Sequence, residues 1–345
     1  MNRMTYGGKV SNPAQLGGIE TAVLDNGAGR GVRVAWVNTG SPLRYKVVLD
    51  RAMDISEAFY GEHSLAWLSR GGVTPSMPVA LYDLDWLQAF GGGLVTTCGL
   101  SHIGVPETDE HGRRGLHGRI STLAAEVVSI EQPDPERGIL RMALTGVVRE
   151  TGVFGPHLEL RRTISGELGC PEIRIADQVI NRGNQAAAHM LLYHCNLGYP
   201  LVDEGAELRW DGELRSRGGA QDDAVFGGGH DYRRCPPPLK AHAGFGEACG
   251  FIRPAAGADG LSRTGVCNRA RDLALQIAFD PRRLPCLANW QHWGEGEYVT
   301  GLEPGTHFPT GQKAARAAGE LVMLEPGETR DYAMVIRAGA ASLWS

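Results

Sequence analysis

The sequence predicts an all-β chain of antiparallel sheets with few, short helices. Three observations carry that expectation. Apolar and polar residues alternate with period two in several segments; glycine is abundant, 48 of 345 residues, without a G-X-Y period; and strand-like segments follow one another with almost no helical pattern between them. Period-two alternation gives each strand one apolar face. Glycine supplies tight turns, and successive strands without crossover helices pair antiparallel in a sandwich or barrel.

Val32–Val37, Tyr45–Leu49, Leu123–Ile130, Ile139–Val148 and Glu172–Ile180 are strand candidates. In His157–Ser165, Leu158, Leu160 and Ile164 alternate with His157, Glu159, Arg161 and Thr163. In Leu273–Phe279, Leu273, Leu275, Ile277 and Phe279 alternate with small or polar residues. Near the C-terminus Leu321 and Met323, the turn Glu325-Pro326-Gly327-Glu328, and Tyr332, Met334 and Ile336 read as a β-hairpin. Leu81, Leu84, Leu87 and Phe90 fit one face of a helix. Gly218–Pro238, with Gly227-Gly228-Gly229 and Pro236-Pro237-Pro238, reads as a long loop. No linker, low-complexity tract or internal repeat divides the chain, so residues 1–345 are expected to form one domain.

The net charge of −5 argues against general nucleic-acid binding. Only four of the 34 basic residues are lysine (Lys9, Lys46, Lys240, Lys313), a bias that suits either an arginine-rich composition or recognition of oxygen-rich ligands by guanidinium forks. The seven cysteines form no CxxC pair, which excludes a zinc knuckle and a thioredoxin motif and fits a reducing compartment. Met1–Tyr6 opens no apolar stretch of the signal-peptide kind, and no run approaches 18 apolar residues. A cytoplasmic protein without a membrane span is the expectation.

Several chemistries lack their motifs. Gly27-Ala28-Gly29-Arg30-Gly31 has the wrong spacing for a dinucleotide-binding turn, no P-loop or HExxH is present, and Gly99-Leu100-Ser101-His102-Ile103 lacks the second glycine of a nucleophile elbow. His189 and His194, five apart on a strand, face opposite ways and make a poor metal pair. No metal site and no cofactor are expected.

What remains is polar residues in glycine-flanked or apolar settings. Gly115-Leu116-His117-Gly118-Arg119 would place His117 and Arg119 on one strand face, as two donors for a hydroxylated ligand or as a solvated strand end. His194, at the end of the apolar run Met190–Gly198 with Asn196 on the same face, is either a hydrogen-bonded core residue or a titrating group at a pocket wall. Trp290-Gln291-His292-Trp293 offers aromatic faces for a sugar ring. Glu303, held by Pro304, is a candidate base or a turn residue like Glu325. Arg51 and Asp54 are a surface ion pair or part of a site.

Taken in order, Arg51-Ala52-Met53-Asp54-Ile55, Gly92–Leu100, Leu116-His117-Gly118-Arg119-Ile120-Ser121, Tyr193-His194-Cys195-Asn196-Leu197-Gly198 and Leu302-Glu303-Pro304 resemble the aldose 1-epimerase (galactose mutarotase-like) superfamily, and within it a branch named only as a domain of unknown function. The resemblance runs from about Leu24 to Ile336. It implies a galactose mutarotase-like β-supersandwich, a carbohydrate ligand and no cofactor. His194, before Cys195-Asn196-Leu197, matches the superfamily's acid histidine. Glu303 matches its base, and His117 its sugar-binding histidine. Arg51, Asp54, His102, Arg119, Asn196, Trp290 and Gln291 complete the expected substrate-binding set. Arg119 stands where true mutarotases have a second glycine, and Pro304-Gly305 replaces their glutamine pattern after the base. The implied activity is therefore anomer interconversion of an unusual sugar or sugar derivative. The alternatives are epimerisation, isomerisation or elimination at carbon of a keto-sugar or uronate, and carbohydrate binding without catalysis. The expected partner is a small-molecule carbohydrate, with a homodimer as the assembly to test.

Overall fold

A computed structural model describes residues 9–227 and 231–344; the expectations for Met1–Tyr6 and for Gly228, Gly229 and His230 lie outside them. The fold is the all-β architecture the alternation predicts: antiparallel sheets with three short α-helices and a few 3₁₀ turns among the described residues.

Residues 18–64 form a five-stranded meander in chain order. An eight-stranded sheet runs Glu207–Trp210, Ser262–Asn268, Leu273–Phe279, Thr329–Gly339, Glu172–Asn181, Leu158–Glu167, Arg141–Glu150 and Glu126–Glu131. Opposite it, a seven-stranded sheet runs Gly212–Ser216, Ala248–Pro254, Cys286–Trp293, Tyr298–Gly305, Ala187–Gly198 and Val322–Leu324, with Thr96–Leu100 also paired to Ala187–Gly198. Apolar residues of all three sheets form one continuous core, including Tyr45, Leu144, Ile175, Tyr193, Leu275, Trp293, Leu302 and Met334. Alternation therefore buries a full face of each layer, the arrangement expected of stacked sheets.

Three local expectations change. Val322–Leu324 and Thr329–Gly339 are strands joined by the Glu325–Glu328 turn, but they do not pair. The first adds to Ala187–Gly198 and the second lies between Glu172–Asn181 and Leu273–Phe279, so the turn connects two sheets rather than closing a hairpin. The expected helix near 81–90 shrinks to Trp86–Ala89, because Trp86 and Ala89 are buried while Leu84 and Leu87 face outward. A helix, Ala220–Phe226, lies inside the expected loop; Phe226 packs beneath it and Asp222 anchors it to Arg217. No helix among the described residues is long and apolar enough to cross a membrane.

Candidate active site

The site is built where Ala187–Gly198 and Tyr298–Gly305 pair. Cys195 lies opposite Leu302 and Leu192 opposite Gly305, a register that sets His194 directly beside Glu303 on one face. Their side chains meet, with His194 Nε2 3.3 Å from Glu303 Oε1. Both are buried. On the neighbouring strand, Trp290 pairs with Gly301 and extends the same face. Gly301 is what leaves room: a Cβ there would sit less than 3.0 Å from Glu303 Oε1 and 3.2 Å from the Trp290 Cβ.

A cavity of about 580 Å³ opens over the pair. Its volume is within the range of small-ligand sites. Rings surround His194: Phe90 at 5.2 Å between centroids, Trp290 at 5.5 Å, His117 at 5.7 Å and Trp86 at 6.0 Å. Trp67 closes another side, 6.3 Å from Trp290. Its slot depends on Gly92 and Gly198, since a Cβ on either would strike Trp67. The glycines of the Gly92–Leu100 and Tyr193–Gly198 pieces thus have a steric reason.

His117 reaches this wall from a turn, not from a strand. Its φ is +57° and that of Gly118 is +71°, and the turn throws Arg119 away from His117. His117 Nδ1 accepts a hydrogen bond from the Gly104 amide at 3.3 Å. That bond leaves Nε2 as the N–H of a neutral ring. A Cβ on Gly118 would collide with the Gly99 and His102 carbonyl oxygens, so the turn tolerates only glycine there.

One wall is polar and ionic. Arg217 donates through Nε and Nη2 to both oxygens of Asp222, each at 2.9 Å, and through Nη1 to Glu247 at 2.9 Å. The other Glu247 oxygen accepts from Trp290 Nε1 at 2.7 Å. This chain fixes the indole that faces His194.

Burial governs the charge state of the pair. Removal from water pushes the Glu303 carboxyl well above its ordinary value; Glu247 pushes the same way and Arg217 opposes it. Burial pushes His194 down to about 4, against a neighbouring Asn196 that favours the charged ring. His117 is likewise held well below its usual range by burial and by His194. Burial thus favours the uncharged form of both groups, the carboxylic acid of Glu303 and the neutral imidazole of His194. Burial also raises the thiol of Cys249 on the cavity wall, so it is no thiolate nucleophile.

Of the ten residues expected from the sequence, four line the cavity: His117, His194, Trp290 and Glu303. The other six do not. Arg51 is buried and spends its guanidinium on Ser121 O at 2.5 Å, Thr74 Oγ1 at 2.6 Å and Ala89 O at 2.8 Å, tying three loops together. Asp54 accepts from the Thr97 amide and hydroxyl and faces Arg162, inside the core. Burial raises its carboxyl to about 7, with Arg162 opposing. His102 turns inward, Nε2 bonded to Val105 O at 2.9 Å and Nδ1 facing Glu107. Arg119 donates to Thr151 O at 2.6 Å. Gln291 is locked between Tyr232 O, Asn289 and Trp293 on the opposite sheet face. Asn196 lies beneath His194, donating to Gly93 O and His194 O.

Trp67, Trp86, Phe90, Arg217 and Glu247 are cavity residues that local sequence reasoning missed. Trp86 and Phe90 sit in the segment read as a core helix, and Arg217 meets Glu247 only through the fold, thirty residues apart. A wider groove of about 930 Å³, beside Phe154, Arg182 and Arg316, contains none of the expected site residues. Among the described residues no cluster of three or more His, Cys, Asp or Glu is placed to hold a metal ion.

The fold is shared with solved structures. A Klebsiella pneumoniae protein provisionally named an aldose 1-epimerase superposes with a TM-score of 0.82 at 21% identity, covering 96% of this chain and 87% of that one. A galactose mutarotase-like protein from Clostridium acetobutylicum gives 0.65 at 9% identity over 93% and 98%. Galactose 1-epimerase from Lactobacillus acidophilus gives 0.60 at 8% identity over 93% and 98%. These likenesses establish the galactose mutarotase-like fold. No curated protein matches this chain by sequence. A family model does match residues 29–338, and the chain accordingly belongs to the family described as Domain of unknown function (DUF4432).

Proposed function

We propose that this protein interconverts the anomers of a sugar, with His194 and Glu303 as its proton-transfer pair. The observation that carries the reading is the pairing itself: an imidazole and a carboxyl 3.3 Å apart, buried together at the floor of an aromatic cavity. Anomer exchange needs that equipment. One group takes the proton of the anomeric hydroxyl while the other protonates the ring oxygen. The C1–O5 bond breaks, C1–C2 rotates, and closure on the other carbonyl face reverses both transfers. Each well-placed transfer contributes about 10²–10⁴-fold.

The charge state refines the expected roles. Because burial favours the uncharged form of both groups, we read neutral His194 as the first acceptor and the Glu303 carboxylic acid as the first donor, the reverse of the assignment the resemblance implies. The cycle is symmetric, so the pair returns to its starting state after closure. Asn196 acts through His194: its Oδ1 and His194 Nδ1 are both buried without partners among the described residues, and pairing them would hold the proton on Nδ1 and free Nε2 to accept.

The test is Glu303→Gln beside His194→Asn. Each should lower the rate of anomer equilibration by at least 100-fold while tryptophan-fluorescence titration shows that sugar binding persists. A rate within tenfold of wild type in both variants would remove the pair from the chemistry. Glu303→Gln should not destabilise the fold at pH 8. Burial raises the native carboxyl above its unfolded value, so its stabilising contribution is full below about pH 4.5 and is lost as pH rises through the raised native value.

A further inference from the structure

We infer that the sugar is uncharged and that its end remote from the anomeric carbon is apolar, as in a 6-deoxyhexose. The inference rests on reading the cavity as a sugar site and adds the substrate class.

Charge comes first. Arg217 is the one arginine or lysine among the described residues lining the cavity, and its guanidinium is already held by Asp222 and Glu247. Glu297, at the edge, faces Arg70 at 3.4 Å. A uronate or sugar phosphate would find no guanidinium or ammonium group free to pair with it. A desolvated anion without a partner is strongly disfavoured. A cationic amino sugar fares no better, because Glu247 is already neutralised and Arg217 stands beside it.

The distribution of hydrogen-bonding capacity comes second. Ser69 Oγ donates to Phe90 O, His292 places its two nitrogens against Glu297 O and Gly244 O, and Trp290 Nε1 is committed to Glu247. Capacity left for a ligand lies on the floor, at His117, His194 and Glu303, and on the rim at the Gln221 amide alone. Around Gln221 the mouth is mainly apolar: Leu84, Leu87, Val105 and Phe245 all line the cavity and are all solvent-exposed, Phe245 at 86%. Exposed apolar side chains converging on one opening mark a binding surface. A ligand matching this gradient puts its reactive oxygens down and a C–H-rich end up. Replacing CH₂OH by CH₃ at such a rim gains hydrophobic contact with these side chains, an effect on the order of tenfold.

The test titrates tryptophan fluorescence of the full chain with the 6-deoxyhexose, the parent hexose, the uronate, the 6-phosphate and the 6-amino sugar of the galacto, gluco and manno series. In the series that binds, the deoxy sugar should bind at least tenfold tighter than its parent, and each charged member at least tenfold weaker. Phe245→Ser, on an exposed loop, should bring deoxy and parent sugars within threefold of each other with an unchanged melting temperature. A charged member binding as tightly as its parent, a parent binding as tightly as its deoxy form, a preference that survives Phe245→Ser, or no saturable response at all would overturn the inference. Anomer exchange on the same samples separates the two claims. The expected binding order without exchange upholds this inference and ends the anomerase reading; exchange that favours a uronate does the reverse.

Discussion

Gly301→Ala puts the geometry of the proposed pair to a severe test, because it leaves His194 and Glu303 in place and perturbs only the space between them and Trp290. A methyl at residue 301 would lie within 3.0 Å of Glu303 Oε1. Ordinary contact begins near 3.4 Å, so the carboxyl must withdraw by roughly 1 Å. A displacement of that size at a reacting group costs on the order of 100-fold in rate. Stability should barely change. The group displaced is the end of a flexible side chain, and replacing a strand glycine by alanine recovers about 0.5–1 kcal/mol of backbone entropy. The Trp290 Cβ, at 3.2 Å, must give by a few tenths of an ångström, which offsets part of that gain. The assay is anomer equilibration followed by proton NMR, paired with thermal melting. A rate within threefold of wild type at an unchanged melting temperature would refute the claim that Glu303 works from its observed position. A collapse of the melting temperature would refute the packing argument.

Other expectations follow from the same structure. Below pH 6.5 the unfolded chain's histidine takes up a proton while the buried His194, with a native value near 4, stays neutral, so stability is full above pH 6.5 and falls by on the order of 3 kcal/mol as pH drops to 4. Urea unfolding at pH 7 and pH 4.5 should show a smaller acid loss for His194→Asn than for wild type, and equal losses would contradict the assignment. Arg162 is fully buried between Asp177, at 2.9 and 2.6 Å, and Thr97, at 2.7 Å. Arg162→Met strands the Asp177 carboxylate and should cost about 3–5 kcal/mol by urea unfolding; a loss below 1 kcal/mol would show that the network is dispensable. Gly118→Ala forces a Cβ against two carbonyl oxygens at positive φ and should cost about 1–3 kcal/mol with a weakened hold on His117, whereas a neutral effect would mean the turn is free to move.

The strands were legible because a sheet with one buried face imposes its period directly on sequence, as in Leu158–Glu167 and Leu273–Phe279. His194, Glu303, His117 and Trp290 were legible because each sits in a short glycine- or proline-marked piece whose geometry constrains its neighbours. Of the six other expected residues, Arg51, Asp54, His102, Arg119 and Gln291 bond to the surrounding scaffold, and Asn196 lies next to His194 without lining the cavity. Arg51 and Asp54 flank a tight turn with positive φ at Ala52 and Met53, and their charges brace the loops and core behind the site. A motif preserves such bracing and ligand contacts alike, so sequence could not separate them. The ionic wall was illegible for a different reason. Asp222, Arg217 and Glu247 meet only after the short Ala220–Phe226 helix folds back against Ala248–Pro254, and no local period announces that contact. The failed hairpin at Glu325–Glu328 has a similar origin, since a turn motif fixes a reversal of the chain but not which sheet each arm joins.

The central claim is that the buried pair exchanges anomers by moving protons between oxygen atoms. Its most direct test is proton NMR in deuterated buffer of freshly dissolved single anomers, including 6-deoxyhexoses, with wild-type protein and with Glu303→Gln. The account predicts faster α/β equilibration by wild type, every C–H signal intact, and a rate at least 100-fold lower for the variant. Loss of a C–H signal beside the carbonyl, or equilibration that the variant sustains at the wild-type rate, would contradict it.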